Sequence, residues 1–164
     1  SSDVCSSDLG VSSDGALRNI SGANTWQGAI TLGSATRINS DAGSLALAGI
    51  SGTATNLTLG GAAAGSVTGA IATTSGTLTK DGAGTWALSG ANTYAGATTI
   101  SAGTLTAASG ALAGTSGITV NGAALAAVNY NSSATLSLDA SATATVSGAG
   151  LTISGAVKIG RAHV

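Results

Sequence analysis

The chain has 164 residues and a formal net charge of −1, and only 7% of its residues are charged. A typical globular domain carries about 25% charged residues and roughly 7% Gly, whereas this chain contains 26 Gly and consists mostly of Gly, Ala, Ser and Thr. The few cations are isolated, which excludes a basic nucleic-acid-binding face, and no apolar stretch approaches the roughly 20 residues of a membrane-spanning helix. The mean hydropathy of +0.42 excludes a highly charged disordered tract. We therefore expect a stacked architecture that buries apolar area in many thin layers.

The two ends of the chain are predicted to lie outside the folded segment. Residues 3–9 and 159–164 can be encoded by one DNA string read in opposite directions, and that string resembles a sequencing-library adapter. We expect residues 1–9 and 158–164 to be adapter-derived tails and residues 10–157 to be the genuine segment. Cys5 and His163, the single Cys and single His, then take no part in any site. Because the chain has no Met, we expect it to be an internal fragment of a longer protein.

Between the ends, the chain repeats itself. Residues 21–32 return as residues 89–100, with eight of twelve positions identical. The offset between the two copies is too long for one solenoid coil, but it is consistent with three coils of roughly 20 to 25 residues. We predict one elongated all-β domain with about six or seven coils.

Short strands are predicted wherever apolar residues alternate with small polar ones, as at residues 104–106, 134–138 and 144–146. Frequent Gly and Thr disfavour helices. Glycines at intervals can supply positive φ at the corners between strands; these are Gly33, Gly60, Gly61, Gly82, Gly84, Gly103, Gly110, Gly148 and Gly150. Asn121 and Gly122 are typical of a hairpin turn, but in a solenoid the same pair can form a corner. We favour the corner because many neighbouring corners look alike.

Catalytic and metal-binding residues are not predicted. Asp14, Asp41, Asp81 and Asp139 are widely spaced in the genuine segment, so neither a glycosidase carboxylate pair nor a calcium-binding turn repeat is indicated. We therefore predict no enzyme activity and no cofactor.

The shared positions of the repeat are expected to have structural roles; they are Asn24, Trp26, Gly28, Asn92, Tyr94 and Gly96. The two amides can form hydrogen bonds along the axis of the stack or cap a turn. The two aromatic residues are expected to pack in the repeat, although exposed aromatic rings can also bind carbohydrate.

The stretch from Lys80 to Thr106 resembles the autotransporter-associated β-strand repeat. Its pattern is an Asp-Gly start, an apolar strand, Ser-Gly-Ala-Asn-Thr-Tyr-Ala-Gly, a Thr-rich strand and an Ala-Gly-Thr-Leu closure. A weaker copy covers residues 14–32, with Arg18 where the second copy has Trp86.

The resemblance implies a right-handed parallel β-helix in an exported passenger at the surface of a Gram-negative bacterium, anchored to the outer membrane by a barrel outside this fragment. Its expected function is that of a spacer or stalk whose partners are its neighbouring coils. The alternatives are an adhesin that binds host or matrix components and, more remotely, a polysaccharide-active enzyme.

Overall fold

The computed structural model describes residues 15–128, 131–132, 134–147, 152–153 and 157–160, and these residues form strands, corners and turns without any helix. The strands are short because Gly-rich corners interrupt the alternating segments. They are β1 (Leu17–Asn19), β2 (Ala23–Leu32), β3 (Thr36–Ser40), β4 (Ser44–Gly52), β5 (Leu57–Gly60), β6 (Ala64–Val67), β7 (Ile71–Ala72), β8 (Leu78–Lys80), β9 (Thr85–Leu88), β10 (Thr98–Ile100), β11 (Thr104–Ala107), β12 (Gly117–Val120), β13 (Ala124–Val128), β14 (Asn131–Ser132), β15 (Thr135–Leu138), β16 (Thr143–Ser147), β17 (Thr152–Ile153) and β18 (Val157–Ile159).

The strands stack into two long parallel sheets. The first sheet has the order β1-β3-β5-β8-β10-β12-β15-β18, and the second has the order β2-β4-β6-β9-β11-β13-β16. On a third side of the coil, β7 pairs with the end of β4, and β14 pairs with β17. Successive strands of one sheet come from successive coils, so the chain is a parallel β-solenoid of about six turns. The predicted fold class is confirmed.

The pairing register sets where each coil begins and ends. In the first sheet Ile38 pairs with Leu17 and with Leu59, so a full coil runs from residue 38 to residue 58. Val120 pairs with Leu138, so the coil that begins there is shorter and ends at residue 137. The coils therefore lie at or below the short end of the roughly 20 to 25 residues that the sequence repeat suggests. Three coils of this length do not span the offset between the two sequence copies, which consequently lie out of phase with the coils.

Side chains at alternate positions point into a narrow core, as the period of two predicts. One inward column of the first sheet runs along the axis through Leu17, Ile38, Leu59, Lys80, Ile100, Val120 and Leu138. Its aliphatic members from Ile38 to Val120 are at most 1% exposed. Each fully buried side chain of this kind contributes about 1.5 to 3 kcal/mol to folding. The fold is therefore stabilised by many small contributions of similar size, one from each coil.

The corner between β12 and β13 resolves the choice left open for Asn121 and Gly122. Since β12 belongs to the first sheet and β13 to the second, the pair forms a corner of the solenoid and not a hairpin turn. Gly122 has a φ of 58°, a conformation that favours glycine.

The glycines predicted at corners differ in role, and Gly33 has neither a positive φ nor a close contact, since nothing lies within 4 Å of a Cβ atom there. Gly61, Gly82, Gly103 and Gly110 have positive φ, as predicted. Gly60 and Gly84 instead have no space for a Cβ atom, because side-chain or backbone atoms of other coils approach them closely. Gly148 and Gly150 lie outside the described residues.

The predicted tails fall mostly outside the described part of the chain, including Cys5 and His163. The boundary predicted at Lys158 falls inside β18, which pairs with β15.

Candidate functional site: the coil around Lys80, Trp86 and Asn92

Lys80 is the last residue of β8 and points into the core, where it is 0% exposed. Its Nζ donates hydrogen bonds to the carbonyl oxygens of Asp81 (2.8 Å), Gly82 (2.8 Å) and Ala102 (3.1 Å). The first two oxygens belong to the corner that follows β8, and the third belongs to the next coil. Burial lowers the pKa of Lys80 from 10.5 to about 8; nearby Asp81 raises it and Arg37 lowers it. The ammonium therefore joins two successive corners from inside the coil.

Trp86 is the first inward-pointing residue of β9, the strand that follows this corner, and its side chain is 0% exposed. Its indole Nε1 donates a hydrogen bond of 2.9 Å to the carbonyl of Gly60, the last residue of β5. The ring lies over Gly65, its partner in the preceding coil, where a Cβ atom would come within 2.5 and 2.6 Å of Trp86 Cδ2 and Cζ2. The narrow core can accommodate the Trp86 ring because Gly65 has no side chain.

Asp81 carries an ion pair that spans two coil steps on the outer surface. Arg37 Nη1 and Nη2 contact its two carboxylate oxygens at 2.7 and 2.6 Å. The pair passes over Gly60, where a Cβ atom would lie 2.5 Å from the guanidinium and 2.6 Å from the carboxylate. Because both side chains are partly exposed, this bidentate ion pair contributes little to stability, and its main effect is to align the coils.

Asn92 lies on the third side of the coil and bridges three layers. Its Oδ1 accepts a hydrogen bond of 2.8 Å from the Ile71 N–H in the preceding coil, and its Nδ2 donates one of 2.8 Å to the Ala111 carbonyl in the following coil. The neighbouring Thr93 N–H donates to the Ile71 carbonyl. No strand forms at Asn92, so its side-chain amide makes hydrogen bonds to the neighbouring coils that backbone groups of a strand would otherwise make.

Tyr94 is 1% exposed and ends a buried chain of hydroxyl groups. Its hydroxyl lies 2.8 Å from Thr98 Oγ1, which lies 3.0 Å from Thr115 Oγ1 in the next coil. Thr115 Oγ1 in turn donates to the carbonyl of Gly96 at 2.9 Å. Gly96 sits directly over Gly76, whose carbonyl leaves no space for a Cβ atom. These polar groups are buried without loss because each has a partner.

The first copy of the sequence repeat is placed differently. Through the pairing of successive strands, Asn24 lies in register with Leu45, Gly65 and Trp86, and not with Asn92. Asn24 is exposed, and its Nδ2 donates to Ser21 O at 2.8 Å and to Asn19 Oδ1 at 2.5 Å. Trp26 is 50% exposed, with Gly28 beneath its ring. The two copies therefore share a sequence but not a position in the coil, because strand pairing and not the motif sets the register.

The described acidic residues lie apart and have individual partners. Asp41 contacts Arg18, Asp81 contacts Arg37, and Asp139 accepts hydrogen bonds from Ser141. Hydrogen bonds from the backbone at Gly122 and Ser141, together with the Ser141 hydroxyl, lower the pKa of Asp139. Within the described residues no three His, Cys, Asp or Glu side chains form a group that could hold a metal ion, and no helix is long and apolar enough to cross a membrane.

One surface groove of about 330 Å³ crosses four coils of the second sheet. It is lined by small side chains on the outer face and at the strand ends, among them Ala87, Thr106, Ala126 and Thr145. None of the described residues that line it is charged, so the groove offers shape and hydroxyl groups and no acid–base chemistry.

Comparison with protein families identifies the coil just described. Residues 78–107 match the model of the passenger-associated-transport-repeat. The chain carries an autotransporter passenger repeat. The match covers the predicted copy from Lys80 to Thr106 and includes Lys80, Trp86 and Asn92. Neither the curated proteins nor the solved structures contain a match to this chain.

A passenger repeat implies a secreted or cell-surface protein. The repeat family is a structural one. The buried positions of Lys80 and Trp86 were not predicted from the sequence. The alternation of Leu78, Thr79 and Lys80 already places Lys80 on the same face as Leu78.

Proposed function

We propose that this chain is a spacer segment of a passenger displayed at the outer membrane of a Gram-negative bacterium. One observation carries the proposal: the first sheet keeps a continuous parallel register through eight strands, from β1 to β18. At about 4.8 Å per strand, such a stack extends roughly 30 Å. Axial contacts made by Lys80, Asn92 and the Arg37–Asp81 pair support a rod that holds its length.

The outer surface supports a passive role for the coil. The outward column of the first sheet around the repeat consists of Thr58, Thr79, Thr99 and Thr119, which repeat one short polar side chain at each step. Each of the described acids already has a partner. A surface of this kind stays hydrated without presenting a charge pattern that selects a ligand.

Adhesion is a second candidate function, and the groove on the second sheet is the observation that favours it. A neutral groove lined with hydroxyl and methyl groups suits a neutral extended partner, such as a host or matrix polymer. This candidate depends on the outer face, whereas the spacer depends on the number of coils. Catalysis by the same segment, the remote third reading, has no supporting cluster among the described side chains.

Two variants of the exported protein distinguish the two functions. Deleting residues 101–120 removes one coil in register, because Ile100 and Val120 are partners. The replacement Ala126→Phe fills the groove and leaves the number of coils unchanged.

A spacer predicts that deleting one coil shortens the rod by about 4.8 Å in small-angle scattering and that Ala126→Phe changes neither length nor cell attachment. If Ala126→Phe abolishes attachment while both proteins stay protease-resistant, the segment is an adhesin and the spacer proposal fails. Retained protease resistance shows in each case that the variant is folded.

A further inference from the structure

The spacer role makes no use of one feature of the repeat, the charge at the centre of the coil. Lys80 is the charged side chain that the described core encloses completely, at 0% exposure. The adjacent members of its inward column are Leu59 in the preceding coil and Ile100 in the following coil. A cation in this column is costly to bury unless its donors are satisfied.

The three oxygens around Nζ have the arrangement of a cation site. An ammonium has three donors and no acceptor, and here each donor has one carbonyl oxygen, at 2.8, 2.8 and 3.1 Å. Backbone carbonyl oxygens that converge on one point can replace the hydration shell of a monovalent cation. The oxygens come from two successive coils, so their positions are fixed by the stack and not by Lys80 alone.

Two charged groups outside the coil complete the surroundings. Burial has the largest effect on the pKa of Lys80 and disfavours a cation at this position. The Asp81 carboxylate favours a cation there, while the Arg37 guanidinium opposes it and is itself held by that carboxylate. The corner before this one has a different donor, since the Gly60 carbonyl accepts a hydrogen bond from Trp86 Nε1. In this part of the solenoid, a buried donor therefore meets carbonyl groups at each of two successive corners.

We propose that the carbonyl oxygens of Asp81, Gly82 and Ala102 form a binding site for a primary ammonium ion, which the protein fills with its own Lys80 side chain. The aliphatic stem of Lys80 takes the inward position of the strand, and the ammonium occupies the site. When the stem is cut back to the Cβ atom, a free alkylammonium ion of matching length binds in its place.

The test is chemical rescue of Lys80→Ala in the full chain. The substitution removes three carbons and the ammonium, which n-propylammonium replaces atom for atom. We expect the urea midpoint of Lys80→Ala to fall and then to rise saturably with n-propylammonium concentration, as ligand binding to the folded state requires. Tetramethylammonium has the charge without N–H donors, so at equal concentration it should give no such recovery.

Lys80→Met is the matched control, because its side chain fills the stem and leaves no space for the amine. It should be destabilised and should not respond to n-propylammonium. An equal response of Lys80→Ala to the two ions, or an equal response of the two variants to n-propylammonium, overturns the proposal. If Lys80→Ala does not fold alone, its refolding yield with each ion gives the same comparison.

The unaltered protein provides an independent measurement. Lys80 and the exposed Lys158 are its two lysines. In ¹⁵N-detected spectra at pH 6, the Nζ protons of Lys80 should exchange with water at least tenfold more slowly than those of Lys158. Equal exchange rates would show that the three carbonyl groups do not hold the ammonium, and the site would be rejected.

Discussion

The substitution Gly65→Ala tests the packing of the passenger repeat directly. A Cβ atom at Gly65 would come within 2.5 and 2.6 Å of Trp86 Cδ2 and Cζ2, and ordinary contacts between carbon atoms begin near about 3.5 Å. The ring must move by about 1 Å to restore such a contact, and the hydrogen bond from Nε1 to the Gly60 carbonyl, now 2.9 Å, would be strained or lost. Overpacking of this kind costs about 1 to 3 kcal/mol, and loss of the buried hydrogen bond adds about 1 kcal/mol.

We therefore expect Gly65→Ala to lower the free energy of unfolding by about 3 kcal/mol, measured by urea denaturation with circular dichroism. With a urea dependence of about 2 kcal/mol per molar, the midpoint falls by roughly 1.5 M. Gly33→Ala is the matched control, because nothing lies within 4 Å of a Cβ atom there; it should change stability by less than about 0.5 kcal/mol.

A double-mutant cycle identifies the ring as the cause. In a Trp86→Phe background the smaller ring leaves space for the added methyl group, so Gly65→Ala should cost at least about 1 kcal/mol less than in the parent chain. Additive effects of the two substitutions, or a Gly65→Ala protein as stable as the Gly33→Ala protein, would refute the close packing of Trp86 over Gly65.

Three further predictions follow from the same coil. Burial lowers the pKa of Lys80 from 10.5 to about 8, so between these pH values the unfolded chain keeps a proton that the folded chain has lost. The free energy of unfolding should therefore rise from pH 8 to pH 10.5, by up to about 3 kcal/mol. Urea denaturation should show this rise in the parent and not in Lys80→Met. Asn92→Leu leaves the Ile71 N–H and the Ala111 carbonyl without partners and should cost about 2 to 4 kcal/mol. Asn24→Leu, at the exposed equivalent in sequence, loses the hydrogen bonds to Ser21 and Asn19 and should cost about 1 kcal/mol. Equal thermal unfolding midpoints for the two variants would contradict the bridging role of Asn92. Arg37→Leu removes a partly exposed ion pair and should lower the free energy of unfolding by about 1 kcal/mol or less at low salt. In about 1 M salt the stability of the variant should equal that of the parent. A larger cost that persists at high salt would contradict a surface role for the pair.

The fold class could be predicted from the sequence because small polar and apolar residues alternate with a period of two, which is the period of a strand. The sequence also predicted a corner as one of two readings of Asn121 and Gly122, and it located the passenger repeat at Lys80 to Thr106. These predictions depend on the pattern of neighbouring residues along the chain, which is the same whatever the pairing register between coils.

The length of the coil and the roles of individual repeat residues could not be obtained in this way. The offset between the copies suggested that Asn24 and Asn92 lie at equivalent positions, but in the structure Asn24 lies in register with Trp86. Register is a property of pairing between strands of successive coils, and two copies of a motif do not determine it. The same holds for Gly65, whose need for a hydrogen side chain arises from a ring in the following coil.

The stacked register from which the spacer proposal follows is tested most directly by distances along one outward column. Thr58, Thr119 and Ser137 point outward from the first sheet, with Thr119 three coils and Ser137 four coils beyond Thr58. Spin labels at Thr58 paired with Thr119, and at Thr58 paired with Ser137, should give narrow distance distributions. In a solenoid of stacked coils, the second mean should exceed the first by about 4.8 Å, one step of the stack. Broad distributions, or equal means for the two pairs, would contradict a solenoid of stacked coils and with it the rod on which the spacer depends.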